Sequence, residues 1–165
     1  MSNTKSMVKT HKQKIIEQLI ASDEWDTSNI VNATTCMNIT YKQLIKKLFK
    51  LNHMVNKKFN RYFLKQPNRR ISFFYNNETK PNNTHSHLFI RYTCFDRHKV
   101  IRLMKEYWKK IDNRKKKKFN IFDQPAFNEI ASVRYGTKGH SFHKRKEKEV
   151  HNDWIKENNK WGFIS

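Results

Sequence analysis

Two histidines separated by one residue, His85-Ser86-His87, open the segment His85–Thr93 (HSHLFIRYT), whose alternation suits a β-strand. Side chains at i and i+2 of a strand point to the same face, so both imidazoles project together and can grip one metal ion. Ser86, Leu88 and Ile90 then face the other way, toward the helices. Glu78 lies upstream, in what reads as the loop before this strand, and a hairpin turning between Glu78 and His85 folds the carboxylate back beside the imidazoles. Two imidazoles and one carboxylate, with coordination positions left open, suit a divalent ion that must also bind a phosphate. The plainer reading is two ordinary surface histidines and a solvated loop carboxylate.

Farther along, Tyr135-Gly136-Thr137-Lys138 places a phenol and an amine at i and i+3, on one face if the segment is helical. A phenol is a poor nucleophile near its ordinary pKa of ~10 and needs a cation or base beside it, which Lys138 can supply. For an isolated pair of this spacing, the competing reading is a packing tyrosine on an amphipathic helix.

These residues need elements to hold them, and the hydrophobic pattern supplies a set. Val8–Ser22 reads as a short amphipathic helix, and Ile30–Asn38 (IVNATTCMN), rich in β-branched residues, as a first strand. From Tyr41 to about Phe63, an apolar stripe through Leu44, Leu48, Leu51 and Val55 predicts a long helix with lysines on its other side. Arg70–Tyr75 (RISFFY) predicts a strand and Asn76–Thr84 a turn, so that this strand and His85–Thr93 form an antiparallel hairpin. Asp96 can cap a helix over Arg97–Ile111 that turns Val100, Leu103, Met104 and Tyr107 or Trp108 inward. Phe119–Phe122 is an edge-strand candidate, and Asp123 with Pro125 marks a helix start leading into Ala126–Thr137. Glu147–Asn158 predicts a polar terminal helix, followed by a Trp161–Ile164 tail able to dock on the body.

The order is β-α-β-β-α-β with an N-terminal and a C-terminal helix, the split βαβ arrangement of a ferredoxin-like, RRM-like α+β fold: an antiparallel sheet with helices packed on one face. At 165 residues the chain fits one domain, 1–165, with its core over about 30–140, the N-terminal helix in 1–29, and a basic C-terminal helix and tail in 141–165.

Taken together and in this order, the motifs resemble the HUH superfamily of single-tyrosine rolling-circle replication initiators. Ile30–Asn38 is similar to the family's first motif, Glu78 with His85 and His87 to its metal motif with an acidic third ligand, and Tyr135 with Lys138 to its one-tyrosine motif. The resemblance spans roughly Ile30 to Gly139. It implies an endonuclease, a nickase and strand transferase, in which Glu78, His85 and His87 hold Mg²⁺ or Mn²⁺ against a scissile phosphate. Tyr135, helped by Lys138, would attack and form a 5′-phosphotyrosine that initiates rolling-circle replication of a plasmid or virus. The substrate implied is single-stranded DNA, at an origin or hairpin, held by backbone contacts from Arg69, Arg70 and Arg91 beside the hairpin and from Lys115, Lys116 and Lys117. Phe89, on the face of His87, either stacks a base or packs beneath the helix that carries Tyr135, with packing expected. No Walker motif occurs, so a helicase would be a separate protein.

Bulk properties agree with a polyanion partner. Lys and Arg total 35 against 14 Asp and Glu, a formal net charge of +21, which concentrates and steers nucleic acid. An AT-rich genome explains abundant lysine and asparagine but not so few acids, and an acidic membrane surface is the other polyanion to weigh. Hydrophobic residues make up 36%, enough to build a core despite the charge. Cys36 and Cys94 form no zinc pattern and read as buried thiols. With no signal peptide and no apolar run near ~18 residues, a cytoplasmic, reducing location in the host cell of a plasmid or virus is expected, without membrane. Competing functions are a single-tyrosine HUH transposase or relaxase, and a non-catalytic α+β nucleic-acid-binding module with incidental histidines.

Overall fold

A computed structural model of the chain describes residues 11–81, 83–112, 120–125 and 160–165. Within these, the elements in order are α1 (His11–Ala21), β1 (Asp26–Thr34), α2 (Tyr41–Phe59), β2 (Ser72–Lys80), β3 (Asn83–Arg91), α3 (Arg97–Asp112), β4 (Ile121–Pro125) and β5 (Trp161–Ile164). Two short 3₁₀ turns, Phe63–Lys65 and Pro67–Arg69, lead from α2 to β2. The strands form one sheet in the order β4-β1-β3-β2-β5, with every neighbouring pair antiparallel. β3 lies between β1 and β2, and β1 lies between β3 and β4, so each βαβ unit is split by a third strand. That is the ferredoxin-like α+β arrangement, here extended past β2 by the C-terminal strand β5.

Strand parity divides the core in two. Val31 and Ala33 of β1, Phe73 and Tyr75 of β2, and Leu88 and Ile90 of β3 meet Leu44, Leu48, Leu51 and Val55 of α2 and Val100, Met104 and Trp108 of α3. Burying each large apolar side chain of this kind contributes about 1.5–3 kcal/mol, the main source of cohesion for the layer. α2 starts with a capping box, in which Gln43 N donates to Thr40 Oγ1 at 3.2 Å and Thr40 N donates to Gln43 Oε1 at 3.0 Å. Asp96 caps α3 as expected, accepting from Lys99 N at 2.8 Å. Trp108, rather than Tyr107, is the fully buried aromatic, and its Nε1 donates to Thr34 O at 3.0 Å, fixing α3 to the end of β1.

The second face carries Phe74 of β2, Phe89 of β3 and Ile30 of β1, and α1 covers them with Ile15 and Leu19. The expectation of helices on one face alone is therefore corrected, because three large apolar side chains on the far face also need cover. Phe89 is fully buried there, stacked on Phe74 at 6.2 Å between ring centroids, which makes it a packing residue under α1.

Element boundaries shift in an instructive way. β2 does not stop at Tyr75 but continues through Asn76-Asn77-Glu78-Thr79-Lys80, and pairing with β3 runs to Lys80↔Asn83. Asparagine, glutamate and lysine have weak strand propensity, yet this stretch is paired along its length, so tertiary context overrides composition. β1 begins earlier than expected, at Asp26. Asp123 and Pro125, read as a helix start, lie in β4 instead. β4 is an edge strand, where proline's missing N–H costs no ladder bond. The Trp161–Ile164 tail docks as β5, and Gly162 is required there, since a Cβ would stand 2.7 Å from Tyr75 Oη. Cys36 is half-buried and Cys94 exposed, correcting the reading of two buried thiols. The proposed helices over Ala126–Thr137 and Glu147–Asn158 lie outside the described residues.

Candidate metal centre

The extension of β2 is what assembles the site. Glu78 lies directly across the ladder from His85, so the carboxylate reaches the imidazoles as a cross-strand neighbour and not from a folded-back loop. His87, two positions along the same face of β3, is paired with Asn32 of β1 on its other side. Glu78, His85 and His87 are 5%, 4% and 2% exposed, which removes the reading of them as surface residues. Among the described residues they are the group whose ligand atoms converge, all within 4.8 Å of one another.

Glu78 Oε2 stands 3.0 Å from His85 Nε2 and 3.2 Å from His87 Nε2. The imidazole planes are perpendicular, 5.0 Å apart at their centroids, so the two rings converge on the carboxylate from different directions. On the far side of His87, Nδ1 donates to Asn32 Oδ1 at 2.5 Å. An amide oxygen can only accept, so Nδ1 is the donor in this bond, and with a cation in place of a proton between the ring and Glu78 the Nε2 lone pair would be the ligand. Asn32 is held in turn, donating from Nδ2 to Gln124 Oε1 on β4 at 3.3 Å. This is the outer hydrogen bond that metal-binding histidines usually make.

A bound cation fits these groups. Neither ring nitrogen of His85 meets hydrogen-bond geometry with a described residue, although both are buried. Leaving such atoms unsatisfied costs about 1–3 kcal/mol each. Donors bound at ~2.1 Å on adjacent positions of an octahedral ion lie ~3 Å apart, close to the two separations at Glu78. Two imidazoles and a carboxylate accept first-row divalent ions generally. The chain can therefore hold a metal ion at Glu78, His85 and His87.

The start of β3 is pinned from below. Thr35, fully buried, donates into the site's base, from its N to Thr84 O at 3.0 Å and from its Oγ1 to the same oxygen at 2.6 Å. Thr84 Oγ1 donates to Ile39 O at 2.8 Å. Thr35, just past the end of β1, thus braces the residue before His85. On the other side of the sheet, the buried pair Asn52 and Asn56 of α2 fixes the entry to β2: Asn56 accepts from Ile71 N at 2.8 Å and both donate to Ile71 O at 2.9 Å.

His85 and His87 line a cavity of about 190 Å³ with Asn32, Thr34, Lys80, Asn83, Phe122 and Gln124. Lys80 gives it a cation, and Phe122, 43% exposed, an aromatic wall. The sequence reading missed Asn32, Lys80, Phe122 and Gln124. Lys80 was within reach, since strand parity from Glu78 puts it on the same face once β2 is continued. The β4 residues were not, because their register against β1 is a long-range pairing.

Not every anticipated residue gathers here. Arg91 is paired with Ser72 at the opposite end of the β2–β3 hairpin, on the order of 20 Å from His85 at ~3.4 Å per residue. Its guanidinium bonds Glu24 and Ser72 at 3.1 Å each. Arg70 donates to Phe63 O and Leu64 O, bracing its own loop, and Arg69 is exposed in the adjoining 3₁₀ turn. Tyr135, Lys138, Lys115, Lys116 and Lys117 lie outside the described residues.

No protein-family model, curated protein or solved structure matches this chain. Its site must be judged on geometry alone. A larger cavity, about 730 Å³, opens at the Arg91 end among Asp23, Glu24, Trp25, Asp26 and Tyr92. Size does not make it the better candidate. Asp26 is engaged by Arg97 at 3.0 Å and Arg91 by Glu24, and burial raises the Tyr92 phenol well above its ordinary range, away from nucleophilic use. Among the described residues, no helix is long and apolar enough to cross a membrane.

Proposed function

We propose that this protein is a metal-dependent endonuclease that nicks single-stranded DNA and forms a 5′-phosphotyrosine. The observation that carries the reading is the buried Glu78–His85–His87 triad, set on adjacent strands of a ferredoxin-like sheet and opening into a polar cavity with a lysine. The chain's net charge of +21 supports a polyanionic substrate, and the order of Glu78, His85, His87 and Tyr135 matches the HUH resemblance.

Glu78, His85 and His87 would hold Mg²⁺ or Mn²⁺. The ion's contribution is to polarise the scissile phosphate and offset charge as it develops. Asn32 keeps His87 in the tautomer that presents Nε2, and Lys80 neutralises a neighbouring phosphate. The Tyr135 phenol gives up its proton to solvent as its oxygen attacks phosphorus, the P–O bond to the 3′ oxygen breaks, and that oxygen takes a proton from solvent to leave as a free 3′-hydroxyl. Lys138 steadies the phenolate. Because the phosphotyrosine retains a phosphodiester bond, a 3′-hydroxyl can reverse the step and join ends, which suits initiation of rolling-circle replication in a plasmid or virus.

The test is incubation with pooled single-stranded oligonucleotides and Mn²⁺, followed by a denaturing gel. A covalent adduct that needs metal and is absent from Tyr135→Phe is the expected result. Tight, salt-sensitive binding without an adduct on any oligonucleotide would leave a non-catalytic nucleic-acid-binding module.

A further inference from the structure

The helical layer on the sheet face away from the triad has a charge pattern that the metal centre does not use. α2 carries Lys42, Lys46, Lys47, Lys50, Lys57 and Lys58 and no acidic residue. Lys42, Lys46 and Lys50 are exposed at successive i, i+4 positions, about 6 Å apart along the helix. α3, packed beside α2 over the same core, exposes Lys99, Arg102, Lys105 and Lys109. The neutralising pairs among the described residues are few: Lys47 with Asp112 at 3.1 Å, Lys110 with Glu106 at 2.9 Å, and Arg97, at the start of α3, with Asp26 at 3.0 Å and Asp123 at 2.6 Å. Among the described residues, Lys42, Lys46, Lys50, Lys105 and Lys109 enter no ion pair. Rows of like charge at this spacing oppose helix formation, so these lysines do not serve the helix's own stability.

We propose that the outer surface of α2 and α3 is a second nucleic-acid contact, one that grips the phosphate backbone of a duplex. It stands on charge and placement and does not depend on the nicking reading. Charge complementarity selects a polyanion, and the scarcity of apolar side chains selects which. Among the described residues of the two helices, Phe49 is the one large apolar side chain that is exposed. A membrane-surface helix needs an apolar face to insert, and a single-strand track needs a run of aromatics on which bases stack. A lysine surface without either suits sequence-independent backbone contact to duplex. The protein would then hold duplex on one side of the sheet while the triad faces the other.

The experiment is a fluorescence-anisotropy titration of the full chain against a blunt 30-base-pair duplex of arbitrary sequence across a salt series. The variant Lys42→Gln/Lys46→Gln/Lys50→Gln removes one row and keeps helix propensity; Lys105→Gln/Lys109→Gln tests α3 independently. The triple variant is expected to bind duplex at least ~10-fold more weakly at low salt, with the log–log salt slope shallower by about 2 to 3, as ~0.9 per lost phosphate contact requires. Duplex binding at wild-type strength in both variants would overturn the proposal. So would a loss confined to phosphatidylserine vesicles, which would make the surface a lipid contact, or an equal loss for a single strand of the same length. Calorimetric Mn²⁺ binding, unchanged in these variants, reports separately on the triad.

Discussion

Asn32 shows how much of a metal site can rest on a residue that touches no metal. Its amide oxygen accepts from His87 Nδ1, which leaves Nε2 as the ring's ligand atom, and its own Nδ2 is tied to Gln124. Removing the amide frees the ring to flip or to protonate Nε2. Asn32→Ala should therefore lower Mn²⁺ affinity by ~10–100-fold while leaving the fold intact. Isothermal titration calorimetry alongside far-UV circular dichroism checks this, and wild-type affinity would mean that His87 is oriented by something else. The histidine pair was legible from strand parity alone. Asn32 was not, because nothing in IVNATTCMN says which residue of β1 will lie opposite His87.

At the scale of elements, the site depends on where β2 begins and ends. Asn52 and Asn56 sit in the apolar stripe of α2, where a helical wheel treats them as interruptions. They satisfy both backbone groups of Ile71 just before β2, and so set the register in which Glu78 meets His85. Asn56→Leu keeps roughly the same volume but leaves a buried N–H without its acceptor. It should cost about 2–4 kcal/mol in urea denaturation, and weaken metal binding as the register loosens. A loss below about 1 kcal/mol would show that Ile71 finds other partners. The polar half of β2 looked like a turn because Asn76–Thr84 has the composition of one. Pairing with both β3 and β5 makes strand out of it at Asn76.

For the whole molecule, a metal ion held by the triad would be coupled to folding. An ion that binds the native triad and not the unfolded chain adds about 2.7 kcal/mol at a hundredfold excess over its Kd. At ~2–4 °C per kcal/mol for a chain of this size, Mn²⁺ should raise Tm by about 5–10 °C over an EDTA-treated sample. Glu78→Gln should abolish that increment, and an equal rise in the variant would locate the ion elsewhere. The same scale brings out the two-sidedness of the sheet. Apolar residues of one parity build the α2/α3 layer, while the opposite parity carries Phe74 and Phe89 under α1 and then His87, Glu78 and His85.

Periodicity and residue type by themselves determined the α+β class, the two long helices and the His-x-His face. These are properties of neighbours along the chain, which the 3.6- and 2-residue repeats expose. What only the tertiary structure decided was the reach of β2, the docking of β5, the face that α1 covers, the network through Asn32 and Gln124, and the presence of Lys80 at the cavity. It also carried Arg91 away from the histidines that it follows so closely in the chain. Each of these depends on which strand lies beside which and in what register. Cross-strand pairing joins residues far apart in sequence, so only the folded sheet specifies it.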